Sequence, residues 1–287
     1  MISSCSEGGE CVTYREISRV LQQAGIENAR DEARLLLAHF CGVTPAQLPF
    51  RMNENFENEG LSDAVMRRQA HEPLQYLLGE WEFFGLPFAV SPDCLIPRSD
   101  TELLVERAIE KLPKGAHFAD FCTGSGCIAC AVLVNRPDAY ATLVDAFAPT
   151  LDMARKNCAK NGVDGRAELL LRDLLQPLEG AFAQKFDCIL SNPPYIPTEV
   201  VKGLAPELAH EPQAALDGGE DGMVFYEHFL SESAHVLKDG GFWLFEIGYD
   251  QEQAIMSLAG NFGFACEVER DLGGNPRVAY IYKSLPQ

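Results

Sequence analysis

The sequence is poor in positive charge. Its 23 Lys and Arg stand against 42 Asp and Glu, for a formal net charge of −19. A field of that sign repels phosphate backbones, and chains that bind nucleic acid ordinarily carry a basic footprint. A long nucleic acid is therefore a poor partner, and acidity of this kind also keeps a protein soluble. Long apolar runs are missing too. The longest, Cys127 to Val134, falls far short of the ~20 residues that cross a bilayer, so no membrane span is expected. The stretch from Met1 to Cys11 carries Glu7 and Glu10, and no basic residue precedes Arg15. No secretory leader is expected on that pattern. Ten cysteines in 287 residues are too sparse for a secreted disulfide scaffold and are expected to be thiols in a reducing cytoplasm. Cys127 and Cys130 have redox spacing, but they sit in an apolar, helix-like run after a glycine loop, which favours buried packing. There is no second Cys-x-x-Cys and no paired histidine at ligand spacing, so no metal site is expected.

What is present is ordinary globular composition, 47% hydrophobic, at a length that suggests about two domains. The first ~75 residues read as helices. Thr13 and Glu16 fit a capping box ahead of Ile17, Val20 and Leu21. Ala33, Leu36, Leu37 and Phe40 share one helical face, with Gly42 as a stop. Thr44-Pro45 is expected to start a short helix, Asn53 to Gly60 to be a loop, and Ser62 to cap a helix through Arg68. Around Trp81 the pattern changes to strand, turn and strand: Trp81–Phe84, Gly85–Pro87, Phe88–Val90. Ser99 and Glu102 fit a second capping box. The resulting division is a helical domain over 1–78, a hairpin linker over 79–98 and a larger domain over 99–287.

From His117 strands and helices alternate. Strands are expected at His117–Phe121, Ala141–Asp145, Glu168–Leu171, Phe186–Leu190, Phe242–Ile247, Ala265–Glu269 and Val278–Tyr282. Helices are expected to start near Ser125, Pro149, Gly222 and Asp250. This alternation predicts an α/β fold with a seven-stranded, mostly parallel, doubly wound sheet. The last two strands, joined only by Asp271 to Pro276, predict an antiparallel hairpin at its edge.

Two segments carry chemistry. Phe118 to Gly126 runs from a strand into a helix through Cys122, Thr123, Gly124, Ser125 and Gly126. Glycines there allow a tight turn and close approach of a ligand, and the helix start favours an anion. Asp145, at the end of the next strand, can accept both hydroxyl protons of a ribose. By itself this loop suits NAD and S-adenosylmethionine equally, because Gly124, Gly126 and Ala129 also satisfy the dinucleotide fingerprint. The second segment is Asn192-Pro193-Pro194-Tyr195, directly after a strand. Two prolines stiffen it, Asn192 and the backbone carbonyls offer acceptors, and Tyr195 offers a flat face. A planar NH2 group fits such a site. Two acceptors can hold it and aim its nitrogen at an electrophile. No lysine, histidine or acid lies within the tetrapeptide, so it suggests positioning, with the proton lost late, rather than an obvious general base.

These residues resemble the amino-methyltransferase branch of S-adenosylmethionine-dependent enzymes. Glu72 to Gly79, Leu95-Ile96-Pro97-Arg98, Glu211-Pro212, Ala215 to Gly219 and Asp221-Gly222 resemble more particularly the HemK family of protein glutamine N5-methyltransferases. The resemblance covers nearly the whole chain. It implies a class I S-adenosylmethionine methyltransferase fold behind a small N-terminal helical domain that recognises substrate. It also implies methylation of the Gly-Gly-Gln glutamine of peptide chain release factors, by a monomer. By position, Cys122 to Gly126 would wrap the methionine part of the cofactor and Asp145 would bind its ribose. Asn192 would touch both cofactor and substrate, and Asn192 to Tyr195 would hold the glutamine amide. Asn192, Pro193 and Tyr195 are thus the expected catalytic residues. Leu174 stands where some members have tryptophan near the adenine and offers an apolar contact. Cys122 stands where the family usually has glycine, so its backbone is expected to avoid positive φ. Arg98 is expected either to anchor substrate or to salt-bridge the helix near Ser99. The rival readings are a glutamine methyltransferase acting on a ribosomal protein, an adenine N6 DNA methyltransferase, a non-catalytic release-factor-binding module and a dehydrogenase. The adenine enzyme would have to flip a base out of a duplex and neutralise phosphates, which the charge disfavours.

Overall fold

The computed structural model describes residues 11–182 and 185–283, so most of the segment read for a leader lies outside the described residues. Two compact units share the chain. One runs up to Gly79 and takes in Ala205–His210; the other holds Glu80–Leu204 and the chain from Glu211.

The first unit contains β1 (Cys11–Val12), α1 (Tyr14–Gln23), α2 (Ala29–Cys41), α3 (Leu48–Arg51), β2 (Phe56–Glu57), α4 (Glu59–Gln69) and α5 (Leu74–Leu78). The capping box forms as expected: Thr13 Oγ1 accepts from Glu16 N at 3.2 Å, and the Glu16 carboxylate accepts from Thr13 N at 2.9 Å. Gly42 ends α2 in the left-handed conformation. Ile17, Leu21, Ala33, Leu36, Leu37, Leu61 and Val65 are fully buried in one apolar core. Three local expectations fail. Thr44 to Gln47 form a turn, and α3 begins only at Leu48. Asn58 caps α4, accepting from Leu61 N at 3.0 Å, while Ser62 lies buried inside the helix. The supposed loop holds β2, whose Phe56 pairs with Val12 and is buried.

Ala205–His210 comes from deep in the chain. Its Glu207 faces Arg68 at 3.4 Å and His71 Nδ1 at 3.1 Å, and Arg68, 5% exposed, also pairs with Glu32 at 2.6 Å. Burial pushes the Glu207 carboxyl up, but the hydrogen bonds from His71 and the backbone, with the Arg68 charge, outweigh it and hold Glu207 below the usual carboxylate range.

The second unit opens with a hairpin, β3 (Glu80–Phe83) and β4 (Leu86–Ala89). Its turn is Phe84-Gly85, both at positive φ, the geometry that suits two-residue hairpin loops. Glu102 accepts from Phe84 N at 2.8 Å. It therefore forms no capping box with Ser99, and a 3-10 turn over Ser99–Thr101 leads into α6 (Glu102–Lys111) instead. There follow β5 (His117–Phe121), α7 (Cys127–Asn135), β6 (Tyr140–Asp145), α8 (Ala148–Lys160), β7 (Ala167–Leu171), β8 (Phe186–Ser191), α9 (Thr198–Val201), α10 (Val224–Glu232), β9 (Leu237–Glu246), α11 (Glu252–Asn261), β10 (Phe264–Arg270) and β11 (Pro276–Lys283).

All seven expected strands are present in one sheet, in the order β10-β11-β9-β8-β5-β6-β7. Only β11 runs against its neighbours, and β10 pairs with it at the edge. The chain winds outward from β5 through β6 and β7, then returns to the other side of β5 as β8. Ligands bind at the carboxyl ends beside such a reversal. Apolar clusters fill both faces. One includes Phe83, Phe88, Leu104 and the α7 residues; the other includes Tyr226, Phe229, Trp243 and Phe245.

Candidate active site

The glycine loop leaves β5 and turns sharply before α7. Cys122 has φ +56°, which corrects the expectation that a residue with a Cβ must avoid positive φ here. Such a conformation costs ~1–2 kcal/mol outside glycine, and its neighbours hold it. Thr123 N donates to Val144 O at 3.1 Å, and Thr123 Oγ1 donates to Asp120 Oδ2 at 2.7 Å. The same Asp120 oxygen accepts from Ala129 N at 3.2 Å, tying the loop to the first turn of α7. Asp120 is fully buried, its Oδ1 has no partner among the described residues, and burial pushes its carboxyl up to about 7. Gly124 and Gly126 also have positive φ. Gly126 does not face the cavity: a Cβ there would meet Ala154 Cβ at 3.2 Å, so its smallness lets the loop pack on α8.

Asp145 ends β6. Its two oxygens accept from Gly124 N and Phe147 N, both at 3.1 Å, and burial raises its carboxyl above the usual range. Asn157 on α8, fully buried, braces this corner. It bonds Ala89 N and O at 2.8 and 3.0 Å and donates to Ser125 O at 2.8 Å, joining hairpin, helix and glycine loop.

A cavity of about 900 Å³ opens along this edge. Cys122 to Ser125, Asp145, Leu174 and Asn192 all reach it, as does Phe147, a half-exposed ring just beyond Asp145. Sequence reasoning passed over Phe147, Asp120 and Asn157. The signal for Phe147 was an aromatic two residues past the strand-end acid.

The tetrapeptide follows β8. Ser191 Oγ donates to Phe121 O at 2.7 Å, which fixes the strand end against β5. Asn192 Nδ2 donates to Thr101 Oγ1 at 3.2 Å, so the amide nitrogen is turned to protein and its oxygen is the end left for another donor. Pro194 lines the cavity; Pro193 is buried and does not. Tyr195 does not line it either. Its ring packs on the core below, and its hydroxyl lies 3.4 Å from Glu246 Oε1.

A second loop clamps the tetrapeptide from outside. Ile196 N donates to Leu216 O and Gly218 N to Ile196 O, at 3.0 and 2.9 Å. A Cβ on Gly218 would stand 2.7 Å from Pro194 O, and one on Gly222 would stand 2.2 Å from Tyr195 O. Gln251 Nε2 donates to Tyr195 O at 3.1 Å. Arg98 pairs with Glu211, whose other oxygen accepts from Ile96 N at 3.1 Å. Arg98 thus forms an ion pair, with a different partner from the expected helix near Ser99, and also lines the cavity. Among the described residues no three His, Cys, Asp or Glu are grouped as metal ligands.

Known proteins match along the same lines. Residues 13–79 match the model of the PrmC N-terminal domain, and residues 99–239 that of the methyltransferase small domain. A solved methyltransferase from Pyrococcus furiosus shares the fold, with a TM-score of 0.52 at 19% identity over 70% of this chain and 89% of that one. The release factor glutamine methyltransferase of Geobacter sulfurreducens is 38% identical, over 90% of this chain and 91% of its own. That of Moorella thermoacetica is 40% identical, over 93% and 96%. With likeness of that depth running through both units, the chain belongs to the release factor glutamine methyltransferase family.

Proposed function

We propose that the protein transfers a methyl group from S-adenosylmethionine to the side-chain amide nitrogen of the glutamine in the Gly-Gly-Gln loop of peptide chain release factors. The observation that carries this reading is the fixed rotation of Asn192 beside the cavity. Its nitrogen is committed to Thr101, so the oxygen meets the incoming group, and an oxygen selects an N–H donor.

The cavity suits the cofactor. Gly124 at φ +56° leaves open space where a side chain would stand, since the nearest atom to a Cβ is Cys122 O at 4.0 Å. Asp145 keeps lone pairs free beyond its two backbone bonds and can accept ribose hydroxyls. Leu174 and Phe147 offer apolar surface to a purine. Cys122 to Ser125 supply the turn around the amino-acid end. When bound, S-adenosylmethionine supplies an electrophilic methyl on a sulfonium; the C–S bond breaks as the N–C bond forms, leaving a thioether and releasing the amide proton.

The chain's own part is positioning. Tyr195 O is taken by Gln251, so Asn192 Oδ1 and the backbone carbonyls nearer β8 accept from the two amide hydrogens. Pro193 and Pro194 hold those acceptors still. Alignment of this kind contributes roughly 7–11 kcal/mol to lowering a bimolecular barrier. The cytoplasm is the setting this substrate implies, and no described helix is long and apolar enough to cross a membrane.

The decisive experiment is mass mapping of a release factor incubated with protein and cofactor. One added methyl on the Gly-Gly-Gln glutamine is expected. The same incubation with Asn192→Ala should lose most turnover and keep cofactor affinity. Methyl on a ribosomal protein or on DNA, with none on release factor, would overturn the reading.

A further inference from the structure

Behind the tetrapeptide lies a buried acid that the positioning account leaves unused. Glu246 ends β9, next to β8 in the sheet, with Ser191 and Phe245 in register. It is 2% exposed, and its Oε2 has no hydrogen-bond partner among the described residues. Its surroundings are specific. Tyr195 Oη approaches Oε1 at 3.4 Å. The Thr101 hydroxyl favours its charged form. Thr101 is itself 2% exposed and accepts from Asn192 Nδ2 at 3.2 Å. Tyr226 Oη donates to the Glu246 backbone oxygen at 2.7 Å and leaves the carboxylate alone. Arg277 on β11 supplies positive charge, but its guanidinium is shared with Asp100 and Asp271 at 3.1 and 3.2 Å. A carboxylate left buried and half-satisfied is costly and calls for a reason.

We propose that Glu246 is a positioning residue for methyl transfer, its ionised carboxylate setting the direction of the hydrogen bonds that orient Asn192 and Tyr195. Threonine has a single hydroxyl hydrogen. While Thr101 Oγ1 accepts from Asn192, that hydrogen is free for an acceptor, and ionised Glu246 accepts only. Asn192 nitrogen donates to Thr101 oxygen, and a Thr101 hydroxyl turned to the Glu246 carboxylate would complete a one-way relay that keeps Asn192 Oδ1 on the substrate side. Tyr195 Oη donates into the same acid. If Glu246 is protonated it can donate to Thr101, and the relay no longer dictates which end of the Asn192 amide faces substrate. Glu246 does not line the cavity and takes no proton from the reacting nitrogen.

The acid is poised to make this visible. Burial pushes Glu246 up to about 7, with Thr101 and Arg277 pulling the other way and Asp100 adding to the rise. Activity should therefore fall as pH drops through neutrality.

The inference rests on the methyl-transfer reading, and its test separates the two. Wild-type protein that fails to methylate release factor sinks that reading. With an active wild type, Glu246→Gln is the decisive variant. It should lower kcat at least about tenfold while leaving KM for the cofactor within about twofold. Its kcat should be flat across neutral pH where the wild type slopes. Thr101→Ser should keep activity, and Thr101→Val should lose it, with no further loss when combined with Glu246→Gln. One readout needs no turnover: near pH 6 the infrared carbonyl band of buried protonated carboxyls should weaken in Glu246→Gln. Wild-type kcat and pH slope in the Gln variant would overturn the inference, and so would an unchanged infrared band. A fall in kcat accompanied by a lower melting temperature near pH 8 would also overturn it. Removing a buried charge should not destabilise the fold there, so that pairing would mean a merely structural role.

Discussion

At the scale of single residues, the most informative is Cys122. Sequence alone marks it as a departure from glycine, and steric reasoning then assigns it an ordinary backbone. The structure keeps the glycine-like turn and places the thiol against the core that includes Phe121 and Ile189. Two effects of similar size compete in Cys122→Gly. Relief of the left-handed strain gains ~1–2 kcal/mol, while a looser unfolded chain costs ~0.4–1 kcal/mol and some packing is lost. The melting temperature is expected to stay level or rise slightly, with cofactor affinity unchanged. A fall of more than ~5 °C would show that thiol packing dominates. Asn192 and Asp145 were legible because few other uses fit a strand-end acid and an Asn-Pro-Pro-Tyr run. Glu246 was not, because its meaning depends on a strand pairing that brings it beside Thr101 and Tyr195.

At the scale of elements, the strands were easier to read than the turns. The central strands were legible as short apolar runs, since burial on both faces leaves that mark, whereas the edge strands β7 and β10 are only partly buried and were read from their place in the alternation. Capping was harder, because several polar residues compete for each helix start. Asn58 displaced Ser62, and Glu102 turned to the hairpin at Phe84. The loop over the tetrapeptide shows what glycine does at this scale. Gly222 and Gly240 have nearly the same φ, 76° and 77°. A Cβ on Gly240 would meet nothing within 4 Å, whereas one on Gly222 would collide with the Tyr195 carbonyl. Gly240→Ala should therefore cost only the backbone strain, ~1–2 kcal/mol. Gly222→Ala should cost ~1–3 kcal/mol more and reduce turnover strongly. Chemical denaturation and a methylation assay on the pair would check this, and equal losses would refute the close-approach account.

At the scale of the whole molecule, two buried acids shape the response to pH. Asp120 and Glu246 each rise to about 7 through burial. Their folded values lie above those of an unfolded chain, so the unfolded state ionises first as pH rises. Stability is expected to decline between about pH 4 and 7 on their account, then level off. Acids held low, such as Asp217 and Glu72, act oppositely and lose their contribution as pH falls below about 4. Melting temperature should thus peak on the mildly acidic side, and Asp120→Asn should flatten the decline toward pH 7. A wild-type maximum above pH 8 would contradict this. The doubly wound sheet itself was legible from alternation along the chain. The place of Ala205–His210 was not, because a reading by contiguous segments cannot assign six residues to a unit that ended more than a hundred positions earlier.

That stray piece bears on how the protein can be taken apart. The chain leaves the tetrapeptide, is moored by Glu207 to Arg68 and His71, and returns at Glu211 to form the clamp over the same tetrapeptide. Scissors applied at Gly79 would leave Ala205–His210 on a fragment that lacks Arg68 and His71, the partners of its Glu207. The two parts are not interchangeable cartridges, since a new head would have to offer this chain's Glu207 partners in place of Arg68 and His71.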